Sequence, residues 1–335
     1  EPVVNDLFRA NLWHALRLPR RHGVGSQGAE SQADVAIDLP YTNWAYRQTG
    51  TPWPVNQAVY VDYMLYGLRG YDAVAREELA AIYRNNQGAN GHVGGYAHWG
   101  VYTPSMLYTV AKNFLLSGDQ QSFEALLPPS LKALDWLLAE SRPDVDPAGA
   151  ASLAAAPAGA SSARPTSGGG STPVAAADRP RRRLVTAQLN DLTGGGVWAF
   201  NQAYFYGALD TFGRALQRAG HPRAQETLEA AKGMRTAIER GFGAAAMRSP
   251  LVQLRDGTWT PYVPAEARSA GRMLDDWYPT DVDTGALHLV RLKALSPTSV
   301  LGDALLHDHE DNLFLHGWGI ANEPVYNQHG LPHLV

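Results

Sequence analysis

The chain has 335 residues, and its hydrophobic share of 45% would suffice for one large core or for two ordinary domains. A net charge of -4, from 28 basic and 32 acidic residues, leaves no dominant basic face, so we expect no nucleic-acid partner. The absence of cysteine excludes disulfides, thiolate metal ligands and cysteine nucleophiles, and no apolar run of about 18 residues predicts a membrane span. No signal peptide is apparent, and the sequence leaves the compartment and the oligomeric state open.

Most of the chain shows the apolar spacing of amphipathic helices, and these helices come in pairs. The first helix of each pair carries aromatic residues nearly all round and is predicted at about residues 54–69, 101–117 and 200–219. The second helix carries charges on one face and is predicted at about residues 72–84, 121–140 and 222–240. This asymmetry indicates inner helices that are packed on all sides and outer helices that face water.

A glycine marks the joint within each predicted pair. Gly70, Gly118 and Gly220 stand just past the first helix, and an Asp or a Pro follows where the second helix opens. Glycine readily adopts the left-handed backbone that ends a helix, whereas Asp and Pro favour a helix start. The sequence therefore predicts a series of helical hairpins.

Residues 143 to about 183 interrupt the helical pattern. Ala, Pro, Gly and Ser dominate there, and large apolar side chains are almost absent. Such a segment cannot bury enough surface to offset the entropy lost on ordering, so we expect a disordered insertion within a single domain that spans residues 1–335. The run Arg181, Arg182 and Arg183 at its end is either a basic docking patch or a solvated loop end.

Two segments share the form W-x-[VF]-N-Q-A-x-[YF], each where a polar loop leads into the first helix of a pair. One contains Trp53, Asn56 and Gln57, and the other contains Trp198, Asn201 and Gln202. Their corresponding positions indicate an internal repeat, with chance similarity and helix capping by Asn as the alternatives.

One β element is predicted among the helices. Residues 251–263 place Asp256-Gly257 between two apolar-rich arms, which is typical of a short β-hairpin. We expect this hairpin to decorate a loop.

These features together resemble the six-hairpin glycosidase superfamily. The resemblance is carried by the inner helix at 102–119, by the inner helix at 201–216 and by the loop D-W-Y-P-T-D-V-D-T-G at 276–285. It covers most of the chain apart from the insertion, and it implies an all-α (α/α)6 toroid of inner and outer helix hairpins. Such a toroid has twelve helices and the patterns predict about nine or ten. Either the count is low or the toroid is incomplete at the C-terminal side of this chain, in which case the missing part is a further candidate location for a catalytic residue.

The resemblance also implies a glycoside hydrolase that cleaves a glycosidic bond in an oligosaccharide or a glycoside. Its cleft would lie where loops lead into the inner helices. The reaction needs one carboxyl group that protonates the leaving oxygen and a second that activates water or attacks carbon. Inversion of configuration is expected by analogy with other toroid enzymes.

Four carboxyl groups in such loops are the candidates for this chemistry. Asp281 and Asp283 lie in the loop at 276–285, and Glu323 follows Asn322 in a Gly- and Trp-rich segment. The predicted acid/base pair is Asp281 or Asp283 together with Glu323, and Asp191 in a glycine-rich loop is the reserve. The alternative for Asp281 and Asp283 is capping of a helix at 287–295, and for Glu323 it is a first-turn acid favoured by the helix dipole.

Aromatic and amide side chains in the same loops are the candidate sugar contacts, because Trp and Tyr combine a flat apolar face with a polar edge. Each aromatic alone is more often a core residue, and the loop position is what favours binding. The predicted substrate-binding residues are Trp44, Tyr46, Trp53, Asn56, Gln57, His92, Tyr96, His98, Trp99, Trp198, Asn201, Gln202, Trp277, Trp318 and Asn322. No motif predicts a cofactor, and the acidic and His-rich run at 307–311 lacks a metal-ligand spacing, so a polar helix end is expected there and no metal site is predicted.

Other functions stay open. A sugar epimerase or isomerase would use a histidine base, for which His92, His98 and His288 are candidates. A polysaccharide lyase would use a Tyr or His base near Arg or Lys. A non-catalytic glycan-binding scaffold would keep the aromatic contacts but would not need the carboxyl groups.

Overall fold

A computed structural model describes residues 5–6, 9–10, 13, 19–22, 34–37, 67–94, 100–142, 183–189, 194–273, 281, 284–315 and 318–319. The predicted insertion lies outside these residues except for Arg183. The first predicted inner helix also lies outside them, apart from a 3-10 turn at Gly67–Arg69.

The described residues are mostly helical. The helices are α1 (Asp72–Asn86), α2 (Tyr102–Ser117), α3 (Gln120–Glu140), α4 (Ala199–Arg218), α5 (Ala224–Arg248), α6 (Leu287–Arg291) and α7 (Val300–Asp308), followed by a π-helical turn at His309–Leu313. The polar run at 307–311 thus forms a helix end, as predicted. Within the described ranges no helix combines the length and the apolar composition that crossing a bilayer requires.

Strands in the described part of the chain form only two-stranded antiparallel pairs. The pairs are β1 (Pro19–His22) with β2 (Asp34–Ile37), β3 (Ala187–Gln188) with β4 (Gly195–Gly196), β5 (Leu251–Gln253) with β6 (Trp259–Pro261), and β7 (Phe314–Leu315) with β8 (Trp318–Gly319). The pair of β5 and β6 confirms the hairpin predicted around Asp256-Gly257. In its turn, Gly257 has a φ of 87° and its amide donates to the Leu254 carbonyl at 3.0 Å.

The predicted joints at Gly118 and Gly220 are confirmed, and Gly70 has the left-handed backbone predicted for it. The backbone φ is 79° at Gly70, 72° at Gly118 and 68° at Gly220, values that favour glycine. Asp119 then caps α3, because its Oδ1 accepts the Ser122 amide at 3.0 Å. At the third joint the outer helix begins at Ala224, later than predicted.

The predicted difference between inner and outer helices is also confirmed. In α4, 16 of 20 residues are buried, whereas in α5 only 8 of 25 are buried. The inner and outer helices pack through large side chains, and the stacked rings of Phe114 in α2 and Phe123 in α3 lie 4.3 Å apart. A fully buried aromatic side chain of this kind stabilises the fold by several kcal/mol, of order 3–5 when truncation to Ala is the reference.

The inner helices α2 and α4 lie side by side and parallel. At their N-terminal ends, Gly100, which lies just before α2, packs against Asn201 of α4. A Cβ placed on Gly100 would lie only 3.0 Å from Asn201 Nδ2. At their C-terminal ends, Arg218 Nη1 donates to the Leu115 carbonyl at 2.9 Å.

Helix α6 also adjoins α4, in the same direction. The rings of His288 and Phe200, each near the start of its helix, lie 4.6 Å apart. Further along, Gly207 of α4 packs against Leu292 at the end of α6, since a Cβ placed on Gly207 would lie 3.6 Å from Leu292 Cβ. The segments that lead into α2, α4 and α6 therefore meet at one end of the bundle, which we call the N-terminal face.

Helix α6 is shorter than the predicted helix at 287–295, because it ends at Arg291. Lys293 adopts a positive φ of 65°, which interrupts the helix, and Pro297 follows in the connection to α7. The N-cap of α6 is Ala286, with no side-chain cap. Asp281 therefore does not cap this helix. Helix capping, the alternative to a functional role for Asp281, is thus excluded.

Candidate active site

Backbone hydrogen bonds tie the segments of the N-terminal face together. The Gly100 amide donates to the Gln188 carbonyl at 2.9 Å, which joins the start of α2 to strand β3. The Ala199 amide donates to the Ala265 carbonyl at 2.7 Å, which joins the start of α4 to the chain after the β5–β6 hairpin. Residues 183–189, 194–198 and 265–268 consequently lie against one another beside the inner-helix starts.

Most predicted site residues fall outside the described residues. This applies to the predicted catalytic groups Asp191, Asp283 and Glu323, and to Trp44, Tyr46, Trp53, Asn56, Gln57, Tyr96, His98, Trp99, Trp277 and Asn322. For Trp318 only the backbone, in β8, is described. The residues that the structure places in full are Asp281, His92, Trp198, Asn201 and Gln202.

Gln202 is an architectural residue in this structure. It lies in the first turn of α4 with no exposed surface. Its Oε1 accepts the Val185 amide at 2.9 Å, and its Nε2 donates to the Val185 carbonyl at 2.8 Å. Both polar atoms are thus used in fixing residues 183–189 to the inner helix, which corrects the prediction that Gln202 binds substrate.

Trp198 and Asn201 are buried beside it and need the same correction. The Trp198 ring is 6% exposed, and its Nε1 donates to the Gly194 carbonyl at 3.3 Å, so no ring face is open as a stacking platform. Asn201 has no exposed surface, and its Nδ2 donates to the Gln188 carbonyl at 3.1 Å. The copy of the W-x-x-N-Q motif at 198–202 therefore fastens the β3 segment to α4.

His92 lies on the same face but toward an outer helix. Its ring is half-buried and lies 4.9 Å from the Trp136 ring of α3. The neighbouring Val93 amide donates to Thr103 Oγ1 in the first turn of α2 at 2.9 Å. His92 therefore remains a candidate contact at the edge of the face.

Asp281 is the predicted catalytic residue that the structure describes, and its carboxyl group is buried, with 7% of the residue exposed. Tyr262 Oη donates to the carboxylate and lies 2.9 Å from Oδ1 and 2.8 Å from Oδ2. The Met273 amide donates to Oδ2 at 3.1 Å. Asp281 lies six residues before the start of α6 at Leu287. Gly285 packs so closely against the Asp281 carbonyl that a Cβ there would clash with it.

A second carboxylate shares the guanidinium group that the described residues place near Asp281. Arg272 Nη1 lies 4.0 Å from Asp281 Oδ2, while its Nη2 is hydrogen-bonded to Asp308 Oδ1 at the end of α7. Asn312 Nδ2 also donates to Asp308 Oδ1, at 2.8 Å. The Arg272 guanidinium carbon lies 5.0 Å from the centre of the Tyr262 ring, over its face. Two acids therefore face the same half-buried guanidinium group.

This environment raises the pKa of Asp281 above the ordinary value for an Asp. The main cause is burial, which disfavours the carboxylate, and the nearby Asp308 acts in the same direction. Hydrogen bonds from Tyr262 and Met273 and the charge of Arg272 lower the pKa but do not cancel the effect of burial. Burial and the Asp281 charge together raise the pKa of the Tyr262 hydroxyl, so Tyr262 stays protonated and acts as a donor. Asp281 is thus a carboxyl group suited to hold a proton.

Glu266 is a buried carboxylate that the sequence reasoning missed. It is 8% exposed, and its two oxygens accept the Val197 and Arg268 amides, each at 2.7 Å. The bond from Val197 joins the start of α4 to the chain after the hairpin, whereas the bond from Arg268 is local to that chain segment. Glu266 thus fastens this segment to the N-terminal face. The available signal was an acid in the non-helical stretch P-A-E-A-R, where no helix start explains it.

Among the described residues, no three acidic or histidine side chains are placed to share a metal ion. His307 Nδ1 instead lies 3.5 Å from Asp303 Oδ2, one helical turn away. His288, a candidate base for an isomerase, has no exposed surface and packs edge-on against Phe200.

Comparison of the chain with models of protein families and with curated proteins finds no match to either. The function is therefore inferred from the residues and from the geometry of the N-terminal face.

Proposed function

We propose that the chain is a glycoside hydrolase with an (α/α)6 toroid fold, in which Asp281 is the general acid. Glu323 is proposed as its partner, the general base that activates water, with Asp283 and Asp191 as further carboxylates of the cleft. Inversion of configuration is the proposed outcome, by analogy with other toroid enzymes.

The packing of the helices supports this fold. Three parallel inner helices, α2, α4 and α6, stand beside outer helices that return antiparallel, with left-handed glycines at the joints after α2 and α4. Continuing this arrangement around a ring yields a toroid, in which all segments leading into inner helices lie on one face. Asp281 precedes α6 on that face, where a toroid enzyme has its cleft.

The single observation that carries the proposal is the buried carboxyl group of Asp281 with its raised pKa. A general acid must hold its proton at the working pH and release it to the leaving oxygen as the glycosidic bond breaks. Burial favours the protonated form of Asp281 before the reaction. Tyr262 and Arg272 favour release of the proton, because they stabilise the carboxylate that remains after proton transfer.

In the proposed reaction Asp281 transfers its proton to the glycosidic oxygen while the bond from that oxygen to the anomeric carbon breaks. Glu323 removes a proton from a water molecule, whose oxygen attacks the anomeric carbon from the opposite side of the ring. The products are a free alcohol and a reducing sugar of inverted configuration. Afterwards Asp281 is ionised, Glu323 is protonated, and a proton returns through solvent.

A panel of aryl and alkyl glycosides would test the proposal with wild-type protein and with Asp281→Asn and Glu323→Gln. Loss of a general acid or base lowers the rate by about 10²–10⁴-fold. Asp303→Asn is a matched control, because this carboxylate on α7 is exposed and lies in a surface pair with His307. Asp281→Asn should spare substrates with good aryl leaving groups more than alkyl glycosides, because a good leaving group needs less protonation.

Several results would reject the proposal. Hydrolysis that survives both substitutions would reject the assigned acids. Binding of oligosaccharides without turnover would favour the glycan-binding scaffold. Interconversion of a reducing sugar without water uptake would favour the epimerase. Circular dichroism and thermal unfolding of each variant would separate a chemical defect from misfolding.

A further inference from the structure

A basic groove lies between the inner helix α4 and the outer helix α5, toward the end opposite the N-terminal face. Its volume is about 310 Å³, near the lower limit for pockets that hold small molecules. The residues that line it include Tyr206, Asp210 and Arg214 on α4 and Lys232 and Arg235 on α5. The α4 members recur at every fourth position, so they form one continuous stripe along the helix.

Positive charges outnumber negative charges in and around this groove. Lys293 borders it, because its carbonyl accepts from Arg235 Nη2. Together with Arg214, Lys232 and Arg235 it makes four cations. The acids that face them are Asp210, bonded to Arg214, and Glu229, whose Oε1 lies 2.6 Å from Lys232 Nζ. These described residues thus carry an excess of two positive charges.

Arg235 is positioned as a binding group. Its Nη2 donates to Tyr206 Oη at 2.7 Å and also to the Lys293 carbonyl, and its guanidinium group lies over the Tyr206 ring at 5.0 Å. In the part of the chain that the structure describes, no carboxylate pairs with it. These contacts hold the side chain in place while its Nε and Nη1 remain available to a ligand.

Tyr206 contributes a donor at the base of the groove. The residue is 4% exposed, and burial raises the pKa of its hydroxyl, so the hydroxyl keeps its proton at neutral pH. Because the Tyr206 oxygen accepts from Arg235, its own proton can be donated to an anion. The groove also presents the side-chain amides of Gln217 and Gln225, which suit the neutral polar part of a ligand.

Lys293 adds a positive charge from a backbone conformation that lysine disfavours. Its φ of 65° is left-handed, and the side chain is exposed. A non-glycine residue held in this region is a reason to look for a function.

We propose that this groove binds a small phosphate-bearing anion, such as an organic phosphate with hydroxyl groups. An excess of two positive charges suits a dianion better than a single carboxylate. A guanidinium edge and a phenol hydroxyl are donors that phosphate oxygens accept. The proposal does not depend on the proposed glycosidase activity, since Asp281 and the groove use different residues.

Calorimetric titration of the full chain with inorganic pyrophosphate would test the site. We expect Arg235→Gln to weaken binding by at least tenfold, and Arg240→Gln, an exposed cation on the same helix, to change it less than twofold. Asp210→Asn should tighten binding, whereas Glu239→Gln, the same charge change at an exposed position on α5, should have little effect.

Lys293→Gly separates binding from folding. Glycine tolerates the left-handed backbone, so we expect an unfolding temperature no lower than that of the wild type together with weaker pyrophosphate binding. Absence of pyrophosphate binding to the wild type would overturn the proposal. So would equal weakening by Arg235→Gln and Arg240→Gln, or tighter binding of tricarboxylate than of pyrophosphate.

Discussion

Removing the Tyr262 hydroxyl should raise the pKa of Asp281. In Tyr262→Phe the aromatic ring remains, so the packing of this 2% exposed residue and the contact with Arg272 are retained. The donor that lies 2.9 and 2.8 Å from the two Asp281 oxygens is lost. Because that hydrogen bond stabilises the carboxylate, the pKa of Asp281 should rise further.

The size of the effect follows from the strength of hydrogen bonds to charged groups. Such a bond contributes about 1.5–3 kcal/mol, and roughly 1.4 kcal/mol corresponds to one pKa unit, so the pKa of Asp281 should rise by about 1–2 units. The amide of Met273 and the charge of Arg272 remain in place and keep the change within this range.

Two measurements would follow the change. Carbon-13 NMR of labelled aspartate reports the titration of Asp281 without reference to activity. If Asp281 is the general acid, the alkaline limb of the pH dependence of kcat/KM for an alkyl glycoside should shift upward by the same amount, because the acid stays protonated to a higher pH. Tyr83→Phe is the matched control, since it removes another buried hydroxyl, bonded to Ser130 at 2.9 Å, remote in sequence from Asp281.

The two measurements can fail separately. If the pKa of Asp281 measured by NMR is unchanged or lower in Tyr262→Phe, the Tyr262 hydrogen bond does not stabilise the carboxylate. If that pKa rises but the alkaline limb of kcat/KM does not move, the hydrogen bond acts as described and Asp281 is rejected as the general acid.

Three further predictions concern stability and can be measured by chemical denaturation. Because the pKa of Asp281 is raised in the folded protein, the folded state binds more protons than the unfolded state at pH values between the ordinary and the raised pKa. The stability of the wild type should therefore fall as the pH rises through that window, and Asp281→Asn should lack this fall. Identical slopes of stability against pH in the two proteins would contradict the raised pKa. Gln202→Ala should cost about 2–4 kcal/mol, because it leaves the buried amide and carbonyl of Val185 without partners, and a cost under about 1 kcal/mol would contradict the clamp. Asp119→Ala should cost about 1 kcal/mol through loss of the α3 cap, with Asp119→Asn, which can still cap, as the control.

Local signals in the sequence predicted the described helices well. Residues 121–140 have an apolar stripe, a glycine before them and an acid at the start, and α3 occupies Gln120–Glu140. These signals act within a few residues of each other, so periodicity and capping suffice. Helix α6 was predicted too long, because Leu292 and Leu295 continue the apolar spacing although the backbone of Lys293 is left-handed. The Lys293 carbonyl accepts from the distant Arg235, a contact that local spacing does not reveal.

The site was predicted only in outline, because its partners are distant in sequence. Asp281 was identified from an acidic and aromatic loop, but Tyr262 is 19 residues before it, and Arg272 meets Asp308 across 36 residues. Nothing in local spacing specifies these pairings. The residues Trp198, Asn201 and Gln202 were predicted to bind substrate from their position in a motif, but burial, which a motif does not reveal, gives them an architectural role.

The two buried carboxylates of the N-terminal face differ in what surrounds them. Each oxygen of Glu266 accepts a backbone amide, so its substitution would leave the Val197 and Arg268 amides without acceptors. Asp281 is instead bonded mainly to a phenol and lies near a guanidinium group that a second acid shares. Its charge is therefore incompletely compensated, which favours gain of a proton. A carboxyl group of the second kind can serve as an acid, whereas one of the first kind fixes the chain.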